Sequence, residues 1–206
     1  VALAACCMGT MTSCSDFLDA SNKSNETAKQ SFATKEGLNN LVNDAYQHLQ
    51  NVYAAPLFTS CFSAGTDMYA DARNKMNEAL NTYETLTPEN TDIKNLYTYL
   101  YSGIRAANSV SYYAQTAQVD DKTKNQLIGE ARVLAAYEYY LLVNNFGGVP
   151  IMKDFLTTAD TGYPKSSPED VYAYIISELE EVISKNVLQA STATKGGGRI
   201  SQETAK

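Results

Sequence analysis

Side chains suited to nucleophilic or metal chemistry are few in this chain. It has four cysteines and one histidine among 206 residues. Cys61 and His48 are the pair that a thiol nucleophile and its base would use, but nothing in the surrounding sequence supports such a pair. One histidine also cannot supply the ligand cluster of a zinc site. We interpret Cys61 as a buried structural thiol and His48 as a partly buried or surface residue, and we expect no metal and no cofactor.

Two carboxylates could in principle cooperate in glycoside hydrolysis. Glu130 and Glu138 stand at positions i and i+8, which places them on roughly one face of a helix. That spacing is common by chance, and no nucleophile, metal cluster or phosphate-binding loop accompanies it. We therefore expect a protein that is not an enzyme.

The N-terminal cysteines fit the attachment of a lipid. The apolar run Val1–Met8 is too short to span a bilayer and is typical of the end of a secretory signal. Small polar residues then lead to Cys14, as at a bacterial lipoprotein processing site. The run Leu3–Cys6 fits the leucine of that pattern better, so processing at Cys6 is the alternative. An ordinary buried N-terminal strand or helix is the third interpretation.

Composition limits the class of partner. The 16 Lys and Arg residues against 23 Asp and Glu residues give a net charge of −7, so we expect no nucleic-acid partner. A hydrophobic share of 44% is typical of a globular chain rather than a disordered or membrane-spanning one. The aromatic residues are 15 Tyr and 6 Phe, with no Trp.

Hydrophobic periodicity predicts the elements that position these side chains. Four helix starts carry capping signals: Thr34, Thr91 or Asp92, the break at 119–121, and Ser167 followed by a proline. The two long central helices have so short a link that they must pack antiparallel. Between Pro56 and Pro88 the periodicity breaks down, which predicts an ordered, functional loop. The pattern indicates an all-α fold of helix pairs, a tetratricopeptide-like α-solenoid with long loops.

The C-terminal residues predict one more helix. The turn at 196–200 leads to Ser201, which would cap the first turn of a helix pairing with the helix that begins at Ser167. We expect a signal remnant at 1–13, the lipidated cysteine and a linker at 14–33, and at 34–206 the N-terminal part of a truncated helical domain.

Several motifs together resemble the SusD/RagB family of outer-membrane lipoproteins of Bacteroidota. The run 129–150, GEARVLAAYEYYLLVNNFGGVP, is similar to the family's helix and turn EAR-x-x-RA-x-x-Y-x-x-L-x-x-x-FG-x-VP, with Ala135 where an arginine is usual. Similar motifs lie at 100–108, 167–179 and 198–201, and the run 14–19 is similar to the family's mature N-terminus, which favours Cys14. The main motif builds helix contacts, so it identifies the scaffold rather than the binding site.

The resemblance implies a function of recognition only. It implies a cell-surface protein that captures an oligosaccharide, or in some members a peptide, and delivers it to a TonB-dependent SusC-like transporter. Sugars have apolar faces and hydroxyl groups, which aromatic rings and Asp, Asn or Arg side chains bind. Family members place ligand contacts in the region of the 67–83 loop, which here offers this combination at Asp67, Tyr69, Arg73, Asn74 and Tyr83. The alternative is that these tyrosines only pack the loop.

The remaining tyrosines divide between seams and loops. We assign Tyr97, Tyr101, Tyr137 and Tyr172 to contacts between helices, and Tyr163 to a loop as a further candidate for ligand contact. A general helical-repeat scaffold for proteins stays open as the second function. An export signal and a lipid anchor favour the surface lipoprotein over that scaffold.

Overall fold

A computed structural model of the chain describes residues 28–54, 56–69, 78–158, 162–191 and 198–206. In those ranges the secondary structure is helical and contains no strand, which confirms the all-α prediction. After a helical turn at 28–31 come six helices: α1 (Lys35–Tyr53), α2 (Leu57–Phe62), α3 (Glu78–Thr82), α4 (Thr91–Ala114), α5 (Asp121–Phe146) and α6 (Pro168–Lys185).

The predicted capping residues fix where the long helices begin. The side chain of Thr34 accepts a hydrogen bond from the Gly37 amide at the start of α1. Asp120 and Ser167 cap α5 and α6 in the same way. At α4 the cap is Asn90, whose side chain accepts from two amides of the first turn, so the helix starts at Thr91 as predicted.

The long helices pack as neighbouring antiparallel pairs. The helix α4 packs between α1 and α5, and α6 packs on the other side of α5. Contacts of Tyr46 with Glu130 and of Tyr53 with Tyr137 advance together along α1 and α5, so these two helices are parallel. The helices α4 and α6 run in the opposite direction to α1 and α5. This confirms the predicted hairpin of α4 and α5 and aligns the successive helix pairs of the repeat.

The core fills the space between α1, α4, α5 and α6. Buried side chains on these helices include Leu38, Val42, Leu100, Ile104, Val110, Leu134, Leu142 and Val171. Alanines at 106, 107, 131, 135 and 136 are buried where the helices approach each other, as the sequence predicts. The helix α5 is buried on most of its circumference, because α1, α4 and α6 all pack against it.

One part of the sequence prediction needs correction. The stretch from Pro56 to Pro88 is not a continuous loop, because the short helices α2 and α3 form in it, with Leu57 and Leu80 buried.

Tyr137 makes its contact between helices at the surface of the protein. The residue is 39% exposed, and its hydroxyl forms a hydrogen bond with that of Tyr53 across α1 and α5.

Arg199 is one of the residues through which the C-terminal segment docks on the helices. Its guanidinium pairs with the Glu130 carboxylate at 2.7 Å and donates hydrogen bonds to Asn39 and Asn43 of α1. Beyond it the Ser201 hydroxyl accepts from the Thr204 amide at 3.2 Å and closes a turn. The described residues from Ser201 onward therefore form a hydrogen-bonded turn where a helix was predicted.

Candidate functional site

Tyr83 displays its ring next to the predicted ligand loop. It follows α3 with a backbone φ of 63°, in the left-handed region that bulky residues rarely adopt. The ring is 59% exposed, and its hydroxyl donates to the Gly65 carbonyl at 3.5 Å. The Asn81 side chain accepts from the Gly65 amide at 3.3 Å, so two contacts join the end of α3 to the turn after α2. The Tyr83 ring is thus held in one place although much of it faces solvent.

A cavity of about 300 Å³ lies beneath this ring, between α2, α4 and the end of α5. Tyr83, Cys61, Asn145 and Phe146 line it together with apolar residues of α3 and α4. Its size is near the lower limit of small-molecule sites, and its lining combines apolar surface with an amide and a phenol.

The structure places three of the five predicted loop residues. Asp67 is exposed on the turn after α2, and Tyr69 is half-buried at the end of that turn, where its amide donates to the Thr66 carbonyl. Tyr83 contacts the same turn through Gly65. Arg73, Asn74 and the lipidation candidates Cys14 and Cys6 lie outside the described residues.

The thiol and the imidazole do not contact each other. Cys61 donates to the Asp92 carbonyl at 3.7 Å, whereas His48 lies near Asp44 on its own helix. Burial raises the pKa of the Cys61 thiol to about 11, so the thiol stays protonated at neutral pH and is a poor nucleophile. This agrees with the structural role expected for Cys61.

The two carboxylates on α5 lie inside the helix core. Glu130 is 1% exposed and is held by Arg199, Tyr46 and Gln126. Glu138 is fully buried, and burial raises the pKa of its carboxyl well above the usual value. Neither carboxyl group faces a cleft that a glycosidic bond could enter.

A second concave surface lies on α4, and we call it the Arg105 groove. It is a cavity of about 470 Å³ lined by Tyr97, Thr98, Tyr101, Ser102, Arg105, Pro150, Met152 and Tyr163. The sequence carries a signal for it, because Tyr97, Tyr101 and Arg105 follow each other at i, i+4 and i+8 on one helix face. Tyr97 makes the contact between helices assigned to it, because its ring packs against Phe146 of α5; it is also 36% exposed and lines this groove.

Three side chains fix the floor of the groove. The Tyr101 hydroxyl donates to the Pro150 carbonyl at 2.8 Å, and the Asn108 amide donates to the Met152 carbonyl at 2.8 Å. The Tyr139 hydroxyl accepts from the Met152 amide at 2.7 Å. Tyr101 and Asn108 belong to the motif at 100–108, so that motif anchors the chain after the Gly-Gly turn. These hydrogen bonds hold the chain at 150–152 against α4 and α5.

Neither a metal centre nor a membrane-spanning helix is found in the part of the chain that the structure describes. No three His, Cys, Asp or Glu side chains there come together as a metal site. The described helices also lack the combination of length and apolar composition that crossing a bilayer requires.

Comparison with known proteins defines the class of this helical fold. The profile of a SusD-like family described as "Starch-binding associating with outer membrane" matches residues 16–195. The chain therefore belongs to the SusD-like family of carbohydrate-binding proteins associated with the outer membrane, as the sequence motifs indicate.

Individual relatives agree with this assignment. The chain is 28% identical over 190 residues to SusD-like protein P38 of Formosa agariphila, covering 90% of this chain and 36% of that protein. Surface glycan-binding protein A from Bacteroides uniformis superposes with a TM-score of 0.69 at 26% identity, over 82% of this chain and 39% of that one. A SusD homologue from Bacteroides thetaiotaomicron shares the fold, with a TM-score of 0.70 at 22% identity, over 87% and 36% of the two chains. The chain thus spans little more than a third of the length of these relatives.

Proposed function

We propose that the protein binds an oligosaccharide at the cell surface and delivers it to a TonB-dependent SusC-like transporter in the outer membrane, without catalysing a reaction. Membership of a carbohydrate-binding family supports the ligand class. A relative of similar fold is a surface glycan-binding protein, which supports the location. The burial of Glu130 and Glu138 supports binding without hydrolysis.

The observation that carries this proposal is the presentation of Tyr83. Tyr83 is 59% exposed, so its ring is accessible to a ligand. Its left-handed backbone adds strain, which proteins tend to keep at functional positions. The apolar C–H face of a pyranose is a natural partner for such a ring, and its hydroxyl groups suit nearby polar side chains.

We propose Asp67, Tyr69, Arg73 and Asn74 as the other ligand contacts. Asp67 and Tyr69 lie on the turn that Tyr83 contacts through Gly65. Carboxylate, amide and guanidinium groups bind the hydroxyls that border the stacked sugar face. This set binds a sugar by stacking and hydrogen bonding together.

We propose that a lipid on Cys14 holds the protein at the outer membrane. The described helices include no membrane-spanning candidate, and the family associates with that membrane. Labelling cells with radioactive palmitate should mark the protein, and Cys14→Ala should abolish the label. A label lost on Cys6→Ala and kept on Cys14→Ala would move the processing site to Cys6.

Calorimetric titration of the full-length protein with surface glycans tests the binding site. We expect Tyr83→Ala to weaken binding roughly five- to tenfold, since the stacking of a sugar on one aromatic ring is worth about 1–1.5 kcal/mol. Tyr69→Ala should weaken it in the same direction. Tyr140→Ala is the matched control, because Tyr140 is also exposed but lies on α5 against Tyr137. If Tyr83→Ala and Tyr69→Ala bind the glycan as tightly as the control variant, the loop is not part of the binding site.

A further inference from the structure

The Arg105 groove has no role in the loop site, yet its chemistry is that of a binding site. We propose that it binds the acidic group, a carboxylate or a sulfate, of a sugar unit, so that the preferred ligand is an anionic oligosaccharide running from Tyr83 to Arg105. This inference rests on the proposed function and deepens it, since it names the charge of the glycan.

The charge of the groove comes from one residue. Among the described residues that line the 470 Å³ cavity, Arg105 alone carries a charge. Arg105 also lines two adjoining cavities of about 290 Å³ each, one bordered by Asp154 and the other by Asp44. None of the ion pairs between described residues involves its guanidinium, so no described carboxylate occupies the place of an anionic ligand within ion-pair distance.

Aromatic contacts hold the groove in shape before a ligand arrives. The Arg105 guanidinium lies 5.4 Å from the centre of the Phe155 ring, a cation–π contact that orients it. The Tyr97 ring packs at 4.7 Å from Tyr101 and edge-on at 5.1 Å from Phe146. A rigid site loses little conformational entropy on binding, which favours affinity.

The lining specifies a sugar acid rather than a free inorganic anion. Tyr97, Tyr101 and Tyr163 give apolar faces, and Thr98 and Ser102 give hydroxyl groups, around the single guanidinium. A guanidinium binds carboxylate and sulfate oxygens through two parallel hydrogen bonds. A small ion would leave the aromatic walls uncovered, whereas a pyranose with an acidic substituent covers both.

The groove and the Tyr83 cavity adjoin each other. Phe146 lines the cavity under Tyr83 and packs its ring against Tyr97 at the edge of the groove. From Tyr97 to Arg105 the helix rises about 12 Å, at 1.5 Å per residue. The groove therefore has the length of a few sugar units, and the contact of Phe146 with Tyr97 places one end of it next to the Tyr83 cavity.

Paired acidic and neutral glycans test this inference on the full-length protein. A glycan array carries uronate oligosaccharides beside their carboxyl-reduced counterparts, and sulfated oligosaccharides beside their desulfated counterparts. Calorimetry then measures the tightest pair with the wild type, Arg105→Gln, Arg105→Lys and Lys122→Gln. The last variant removes one positive charge from an exposed residue at the start of α5, which does not line the groove.

We expect the acidic member of a pair to bind at least about tenfold more tightly than the neutral one. Arg105→Gln should abolish that preference, Arg105→Lys should keep part of it, and Lys122→Gln should leave it unchanged. The uronate and sulfate pairs show which acidic group is used. Equal binding of both members, or a preference that survives Arg105→Gln, overturns the inference while Tyr83-dependent binding leaves the proposed function standing. Failure of every glycan to bind overturns both.

Discussion

The Glu138 carboxyl packs directly against the α-carbon of Gly103, where α5 crosses α4. A Cβ atom at position 103 would overlap the carboxyl group. Glu138 is fully buried, and its two oxygens have no hydrogen-bond partner among the described residues. The contact of the two central helices at this point thus depends on the absence of a side chain on one and a buried carboxyl group on the other.

Gly103→Ala should destabilise the fold by about 2 kcal/mol, because the Glu138 side chain that would have to shift is fully buried. This exceeds the gain of about 1 kcal/mol that alanine gives in a helix. Gly129→Ala is the control, since its added methyl meets the movable end of the Val187 side chain. Urea unfolding measures the stability of both variants. The double variant Gly103→Ala/Glu138→Ala has a shorter side chain at position 138 and should recover part of the lost stability. A Gly103→Ala variant as stable as the wild type contradicts the close contact.

The same carboxyl should make stability depend on pH. Its pKa is raised by burial, so the folded chain keeps a proton that the unfolded chain releases above about pH 4.3. The free energy of unfolding therefore falls as the pH rises from there through the folded pKa, by at most about 1.4 kcal/mol per unit. Glu138→Gln cannot release a proton and should lack this part of the slope. Parallel urea-unfolding profiles for the two proteins between pH 5 and 8 would show that Glu138 is not the cause.

Arg132 joins α5 to α6 through two carboxylates. Its Nε lies 2.6 Å from Glu178 and its Nη2 lies 2.5 Å from Glu181. Arg132→Lys keeps the charge but cannot hold both groups, and should cost about 1–3 kcal/mol. Lys185→Gln removes the exposed partner of Glu181 and should change stability by less than about 1 kcal/mol. Similar losses of stability in the two variants, measured by urea unfolding, would show that the contact of Arg132 with two carboxylates contributes no more than an exposed ion pair.

The Arg132 cluster should lose its stabilising effect in acid, and this direction follows from the pKa of Glu181. Hydrogen bonds from Arg132 and Lys185 lower the pKa of its carboxyl to about 2. The stabilisation is therefore present above the unfolded pKa of about 4.3 and is lost as the pH falls toward 2. This is opposite in direction to the effect of Glu138, so the two can be separated by their pH ranges.

Local signals in the sequence predicted the long helices, because each start has its own cap. Thr34, Asp120 and Ser167 act within three residues of themselves, and a reader of the sequence needs no tertiary structure to recognise them. The motif at 100–108 was also recognisable, but its role was not: the Tyr101 hydroxyl bonds a carbonyl at position 150.

Features that depend on contacts between residues far apart in the sequence could not be predicted from local patterns. The helices α2 and α3 are too short to be stable alone and form because Leu57 and Leu80 are buried by the rest of the fold. The Arg105 groove requires Tyr163 and Pro150 to pack beside α4, and no spacing in the sequence brings these residues together. Tyr83, by contrast, was predictable as a loop aromatic, although its left-handed backbone was not.

A crystal structure of the full-length protein with a bound oligosaccharide would show whether this chain carries the glycan-binding surface. We predict a pyranose ring stacked on Tyr83, with the chain of sugars passing Phe146 and Tyr97 and an acidic group bound by Arg105. An oligosaccharide bound with Tyr83 and the Arg105 groove both uncovered would contradict the account.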